Sequence, residues 1–470
     1  MELASVPSVP DNVKNFQVFE DDRHILQFLT NSDIFTTKII DGEVDEEVEI
    51  DTEGIMSLKT NNIPKGMIEL ERIFDMDQFH KTQYQPTGGD ECEKVNLGIE
   101  DCPKIVHIGK FCTPKEKTDI LNLMREFPDV IAWGYEDLKT YDPTIITHTI
   151  PLKEGSKPFK QRQRPVNPLL EPLIYQEVKK LLDARIIFLM RHSTWVDNLV
   201  PVRKKNGEIR LCVDFKNLNR ASKKDNYPLP LLDEVLQIVN GAKMMSFMDG
   251  YSGYNQVIVE EDRLKTAFTT KWGTFAYRRM PFGLINAGTT FQRAMDYAFK
   301  DLKDKCIIIY MDDITVFSKN REDHIMDLRK VFTRCKRFGI SLNPKKCMFG
   351  VTEGKLLGHV ISEKGIMIDP ERVEAISKLG VPGSKKELKS FFGKINFVRK
   401  FISAFAEIMK PMNDMLKKDA KVDWTPTAKR AFEEIKHAII NAPVLVSPDY
   451  ERPFNIYSFA SDHACVTILT

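Results

Sequence analysis

Three carboxylates sit where the chain reads as turning. Asp249 closes the apolar run KMMSFMDG, and Asp312 and Asp313 interrupt CIIIYMDDITVFSK. Carboxylate oxygens are hard donors, and two or three suffice for Mg2+, which retains several of its waters. Two such ions held roughly 3.5–4 Å apart clamp the attacking and leaving oxygens of an in-line phosphoryl displacement. That is the chemistry these residues permit if one fold brings them together. Singly the signals are weak, because an Asp pair at a turn and a strand ending in Asp-Gly are both common. Lys204 and Arg210 flank Asn206-Gly207, where cations can neutralise a polyphosphate.

The segments around these residues predict how they are held. KMMSFMDG reads as a strand, and CIIIYMDDITVFSK as strand, two-residue turn, strand, with Asp312 and Asp313 at the bend. TTFQRAMDYAFKDL reads as a helix, and so does REDHIMDLRKVFTRCKRFG. In the latter, Ile325, Leu328, Val331, Phe332 and Cys335 form the apolar stripe and Gly339 caps the end. Strand, helix, hairpin, helix, strand is the order of a ferredoxin-like split βαβ unit. Its neighbouring strands would make the carboxylates converge. Upstream, Asn206-Gly207 predicts a tight type I′ hairpin turn. In the returning strand Ile209, Leu211, Val213 and Phe215 alternate with Arg210, Asp214 and Lys216, so one face packs and the other is charged. KEKTDILNLMREFPDVIAW and PLLEPLIYQEVKKLLDARII show helical spacing, the second with Leu170, Ile174, Val178 and Leu181 on one face.

FMDGYSGYNQ, MPFGLINAGTTFQ, YMDD, LNPKK and LLGH occur in that order. Together they resemble the reverse transcriptase motifs of gypsy-type LTR retrotransposons, particularly plant elements. CVDFKNLNRASKKDNYPLP is similar to that family's fingers segment and SKKELKSFFGKINFVRKFI to its thumb, so the likeness spans roughly residues 105–470. It implies an α+β right-hand polymerase, with fingers, a split βαβ palm and a helical thumb, plus a partial RNase H-like domain. It implies RNA-directed DNA synthesis from a primer 3′ end with two Mg2+ ions, Mn2+ being a substitute. By position, Asp249, Asp312 and Asp313 would hold metal, and Lys346 would be the general acid for pyrophosphate. Gly250, Phe282, Gly283, Tyr310 and Met311 would line the nucleotide site, with Lys204 and Arg210 at the triphosphate. Tyr254 would lie under the sugar and exclude a 2′-hydroxyl. Leu357, Gly358 and His359 would grip the primer.

The bulk composition fits an ordinary folded protein, 42% hydrophobic and 29% charged. Its net charge of +1 conceals an asymmetry. Residues 1–150 carry 14 basic and 30 acidic side chains, net −16, and the rest carry 54 and 37, net +17. A basic body behind an acidic arm suggests nucleic-acid binding, and the resemblance implies that the partners are a primed RNA or DNA template and deoxynucleoside triphosphates. The eight cysteines show no CxxC spacing, which argues against a zinc site or a disulfide frame. No apolar run is long enough for a membrane span, and the N-terminus is not a signal peptide. The expected location is the cytoplasm, within virus-like particles and with nuclear access. The expected layout is an acidic disordered arm at 1–104, a linker at 105–160, fingers and palm at 161–365, thumb at 366–420 and a truncated RNase H-like domain at 421–470. Asp51-Thr52-Glu53-Gly54 lacks the uninterrupted triplet of an aspartic protease, and other domains of a polyprotein stand among the expected partners. At the C-terminus Phe459 stands where the resemblance expects the first RNase H carboxylate. Asp462, three positions on, falls on the other strand face, so hybrid cleavage is not expected. The alternative reading is a degenerate fragment that binds nucleic acid or a partner without catalysis.

Overall fold

A computed structural model describes residues 92–100, 103–203, 209–418 and 420–446, and the backbone of 456–460 and 465–469. The Asn206-Gly207 turn, Lys204, Asp51-Thr52-Glu53-Gly54 and Asp462 lie outside the described residues.

The central sheet has six strands, in the order Cys92–Asn96, Ile105–Gly109, Met348–Val351, Met244–Asp249, Asp313–Ser318 and Ile307–Tyr310. Its last four strands, with the helices Ala287–Ala298 and His324–Phe338, are the anticipated split βαβ unit. The sheet is covered on both faces, and the sequence shows why. Met244, Met248, Ile307, Ile309, Ile314 and Val316 enter one core, against Phe291, Leu328, Val331 and Phe332 of the two helices. Met245, Phe247, Ile308 and Phe317 enter a second core on the opposite face. A period of two sends successive residues to opposite faces, so an unbroken apolar run marks a doubly buried strand. Gly339, at φ +68°, ends the second helix in the left-handed region as its position predicted.

Two expectations shift. The first strand, Cys92–Asn96, lies inside the stretch expected to be a disordered arm, yet it pairs residue for residue with Ile105–Gly109. The Asp pair is also displaced by one residue: Tyr310 lies opposite Asp313, so the two-residue turn is Met311-Asp312 and Asp313 opens the returning strand. Backbone pairing fixes this register, and it cannot be read from an Asp-Asp dipeptide that suits either placement.

A five-stranded sheet runs Ile187–Met190, Gly273–Tyr277, Phe268–Thr270, Asp197–Arg203 and Ile209–Val213. The helix Glu171–Asp183 buries Ile174, Val178 and Leu181 in the same core as this sheet. A three-stranded sheet, Glu353–Leu356, His359–Ser362 and Gly365–Ile368, lies against the second core. It comes very close to the central sheet at Gly354, where an added Cβ would fall 2.1 Å from Phe247 Cε2. Helices Pro370–Ser377, Lys385–Asn396, Phe405–Asp414 and Pro426–Ile440 complete that core. Phe432 of the last helix meets Phe391 with ring centroids 4.9 Å apart. The hairpin Ile456–Ala460 with Cys465–Leu469 belongs to a separate compact unit and places Phe459 opposite Val466.

Candidate active site

The central sheet brings the three carboxylates together. Asp313 lies directly opposite Asp249 on the antiparallel neighbour, and Asp312 occupies the turn just beyond. Burial pushes the Asp312 carboxyl up to about 7, with the charges of Asp249 and Asp313 adding to the shift. Asp313 is likewise pushed up to about 7 by burial and by Asp249. Asp249 is raised by burial, and Lys346, Arg210 and Asn343 oppose that rise. Like charges crowded in a poorly solvated site resist joint ionisation unless a cation compensates.

Asp249 is gripped by a single loop. The Lys346 ammonium lies 2.9 Å from its Oδ2. The Asn343 amide N–H donates to its carbonyl at 2.8 Å, and the Asn343 side chain also bonds its carboxylate. Asn343 Oδ1 accepts from the Lys345 N–H, which leaves the Asn343 NH2 to serve Asp249. The Asp249 N–H points at the buried Cys347 sulfur, 3.5 Å away.

The Met311-Asp312 turn carries strain. Met311 has φ +53°, a left-handed conformation unusual for a side-chain-bearing residue. Gln292, fully buried in the helix Ala287–Ala298, accepts the Met311 N–H at 2.8 Å. Its own NH2 donates to Ile309 O and to Asp296 Oδ1. Gln292 thus braces the turn from beneath.

Tyr254 stands beside the carboxylates. Its hydroxyl is held protonated by burial and by the charges of Asp312 and Asp313. Its ring centroid lies 4.8 Å from that of Phe282 and 5.5 Å from that of Phe291. The Arg210 guanidinium sits 5.7 Å above the Phe282 ring, so the fingers hairpin, the aromatic wall and the carboxylates face one space. Gly250 and Gly253 keep the approach narrow: a Cβ at Gly253 would lie 3.2 Å from Asp312 Oδ1. Gly283, at φ +95°, backs onto Phe215 and Val213. Tyr310 is half-buried against the second core.

All three expected primer-grip residues are buried, two of them in a turn and the third in a strand. Leu357 and Gly358, at φ +48° and +78°, make the tight turn between two strands of the small sheet. His359 is wholly buried, with its ring stacked on Phe397 at 4.8 Å and on Phe401 at 5.8 Å. Burial lowers its pKa to about 3, so it acts as a neutral core aromatic and not as a polar group facing a strand. It opens a strand whose inward face is set by pleating.

Among the described residues, no three Asp, Glu, His or Cys side chains stand in a ready metal cage. The donor chemistry nonetheless fits a hard divalent ion. Asp312 Oδ1 is buried without a hydrogen-bond partner, and the neighbouring groups are carboxylates whose mutual repulsion a cation would relieve. Gln292, Asn343 and Cys347 escaped the sequence reading. The available signal was their place inside or beside quoted motifs, without any indication of direction.

Residues 202–361 match the family described as reverse transcriptase (RNA-dependent DNA polymerase). Residues 424–470 match an RNase H-like domain found in reverse transcriptase. The chain is 34% identical over 334 residues to the retrovirus-related Pol polyprotein from transposon 297 of Drosophila melanogaster, covering 69% of this chain and 31% of that one. It is 30% identical over 359 residues to the transposon Tf2-3 polyprotein of Schizosaccharomyces pombe, covering 76% and 27%. It therefore spans about a third or less of these relatives' lengths. In fold it is similar to a foamy viral protease-reverse transcriptase in complex with double-stranded DNA, with TM-score 0.69 at 24% identity, covering 76% of this chain and 63% of that one. Residues 202–361 thus match a reverse transcriptase domain and residues 424–470 an RNase H-like domain, and the similar curated proteins are transposon polyproteins.

Proposed function

We propose that this chain is an RNA-directed DNA polymerase that adds deoxynucleotides to a primer 3′ end. The observation that carries the reading is the register that sets Asp313 opposite Asp249, with the unpartnered Asp312 Oδ1 alongside. Asp249, Asp312 and Asp313 would hold two divalent ions, Mg2+ by preference and Mn2+ as a substitute. When bound, these ions lower the pKa of the primer hydroxyl and offset charge on the leaving pyrophosphate. Lys346 holds a proton on Nζ at the edge of the same carboxylates and would pass it to the pyrophosphate oxygen. Arg210, and Lys204 from outside the described residues, would meet the triphosphate. Gly250, Gly283, Tyr310 and Met311 would frame the nucleotide. Tyr254, backed by Phe282 and Phe291, would leave no room for a 2′-hydroxyl. The Leu357-Gly358 turn would touch the primer strand.

We place an acidic arm before Cys92, fingers and palm up to about residue 365, and thumb helices beyond. The relatives are compatible with a gypsy-type element whose other polyprotein domains act with this one. No helix among the described residues is long and apolar enough to cross a membrane, and cytoplasmic particles with nuclear access suit such an element. Hybrid cleavage is not part of the proposal, because a phenyl ring at Phe459 cannot ligate Mg2+.

The test is primer extension on poly-A/oligo-dT by the purified protein with Mg2+. Asp249→Asn and Asp312→Asn should each abolish synthesis while template binding persists. Substantial residual synthesis in either variant would sink the assignment. Tyr254→Ala should admit ribonucleotides that the parent rejects, and unchanged dCTP/rCTP discrimination would return Tyr254 to a packing role.

A further inference from the structure

Among the described residues, Arg372 is a guanidinium with no ion-pair or hydrogen-bond partner. It follows Asp369 at the start of the helix Pro370–Ser377 and lies flat on Phe397, 3.9 Å from the ring centroid. Phe397 stacks in turn on His359, and His359 on Phe401. This column pins the guanidinium plane beside the Leu357-Gly358 turn. The approach is close, since a Cβ built on Gly358 would lie 2.8 Å from Arg372 Nη2. Any side chain at that position would displace the guanidinium.

The side chain is half-buried, and burial lowers its pKa, with only the charge of Asp369 opposing the shift. Yet its N–H groups donate to nothing among the described residues. The two carboxylates nearest in sequence are engaged elsewhere: Lys355 lies 2.9 Å from Asp369 and 3.2 Å from Glu371. Asp369 also caps its own helix through the Glu371 N–H. A partly desolvated guanidinium with unused donors is costly, and a bidentate oxyanion is the chemistry that satisfies it. The cation–π contact uses the charge and the planar face of the guanidinium but leaves its in-plane N–H donors unused.

The location identifies the anion. Gly354, four residues before Gly358 on the same hairpin, packs on Phe247, two residues before Asp249. At ~3.3 Å per strand residue, the turn lies on the order of 10–20 Å from the carboxylates. That distance suits a phosphate of the strand whose 3′ end they engage.

We propose that Arg372 is a phosphate clamp on the primer strand, oriented by Phe397 and given room by Gly358. The inference rests on the polymerase reading above, but its test is a binding measurement that needs no synthesis. Single methylphosphonates, which remove one backbone charge, are walked along the primer and then the template of a duplex, and affinity is measured by fluorescence anisotropy. For the parent, one primer position near the 3′ end should cost roughly tenfold in affinity. Arg372→Met should bind the unmodified duplex correspondingly less tightly, lose about 0.9 from the slope of log affinity against log salt, and become indifferent to that position. Arg372→Lys keeps the charge without the fork and should recover part of the sensitivity. Thermal melts of both variants control for lost packing on Phe397, since a destabilised but folded protein would still lose affinity at the same phosphate. Equal sensitivity of parent and Arg372→Met at every primer phosphate overturns the proposal, and so does coupling found only on the template strand. Coupling on the primer in a protein that fails to extend it would sustain the clamp and defeat the polymerase reading.

Discussion

Gln292 shows how much of an active site can hang on one amide. Its side chain makes three hydrogen bonds, to Met311, Ile309 and Asp296, from a position with no solvent exposure. Replacing it with leucine would leave the Met311 N–H and the Ile309 carbonyl unsatisfied, at about 1–3 kcal/mol each. It would also free a left-handed Met311 to relax and carry Asp312 with it. Gln292→Leu should therefore lower extension by more than tenfold and raise the Mg2+ concentration for half-maximal activity. Gln292→Glu can still accept the Met311 N–H but sets a carboxylate against Asp296, so it should fall between leucine and the parent. Equal activity of Gln292→Leu and parent would remove the bracing role. The residue was present in the sequence, at the end of MPFGLINAGTTFQ, but nothing in the string says which way its amide faces. Asn343 and Cys347 escaped for the same reason. Residue type announces the carboxylates, whereas the groups that aim them are ordinary amides and thiols whose role exists only in contact. His359 fails in the opposite direction, since a polar residue in a quoted motif turned out to be stacked in the core.

The elements themselves were largely legible. Alternation and length gave the central strands, helical spacing gave His324–Phe338, and Gly339 marked its end. What alternation did not give was register, hence the shift of the turn to Met311-Asp312. Nor did it reveal a polar pin through the sheet. His324 opens its helix, a place where a histidine reads as exposed, yet it is fully buried. Its Nε2 meets Ser246 Oγ at 2.7 Å and its Nδ1 meets Ser318 Oγ at 3.1 Å. Ser318 donates to Asp327, and Ser246 accepts the Gly350 N–H. The directions are consistent only with Nδ1 donating to Ser318 and Nε2 accepting from Ser246, so a second proton on Nε2 would leave the Ser246 hydroxyl without its acceptor in the link between helix and carboxylate strand. Burial lowers the His324 pKa to about 4, and that of the equally buried His148 to about 4 as well. The unfolded chain takes up these protons near pH 6.5 and the native fold does not until about pH 4. The part of the stability that depends on these two histidines should thus be constant above about pH 7 and fall as pH drops through this window, while Asp312 and Asp313, raised to about 7, act in the opposite sense. His324→Asn should flatten that dependence in urea unfolding followed from pH 7.5 to 4.5. An unchanged pH profile in the variant would place the acid sensitivity elsewhere.

At the scale of the whole chain, charge is the property most plainly legible, and the domain edge the least. Residues 1–91 hold 7 basic and 20 acidic side chains, net −13, and residues 92–470 hold 61 and 47, net +14. The exposed basic groups include Lys386, Lys389 and Lys394 on the outer side of the helix Lys385–Asn396. Affinity for a primed duplex should accordingly fall steeply with salt as condensed counterions are released. Composition placed the edge of the acidic arm near residue 104, because it averages over a short strand that carries its own acids. Among the described residues, strand pairing begins at Cys92, and two truncations separate these readings. Removing 1–91 takes away only net negative charge, so duplex affinity should hold or rise and the melting temperature should stay put. Removing 1–104 also strips Cys92–Asn96 from the sheet. That exposes the edge of Ile105–Gly109, loses the ion pair between Glu93 and Lys117 and uncovers a strand able to pair with other chains. The longer truncation should melt at a lower temperature and aggregate at concentrations the shorter one tolerates. If the 1–91 truncation binds duplex less tightly than the full chain, the acidic segment has a role in binding that its charge opposes. If both truncations melt alike, the strand Cys92–Asn96 adds nothing to the sheet and the earlier boundary is the better one.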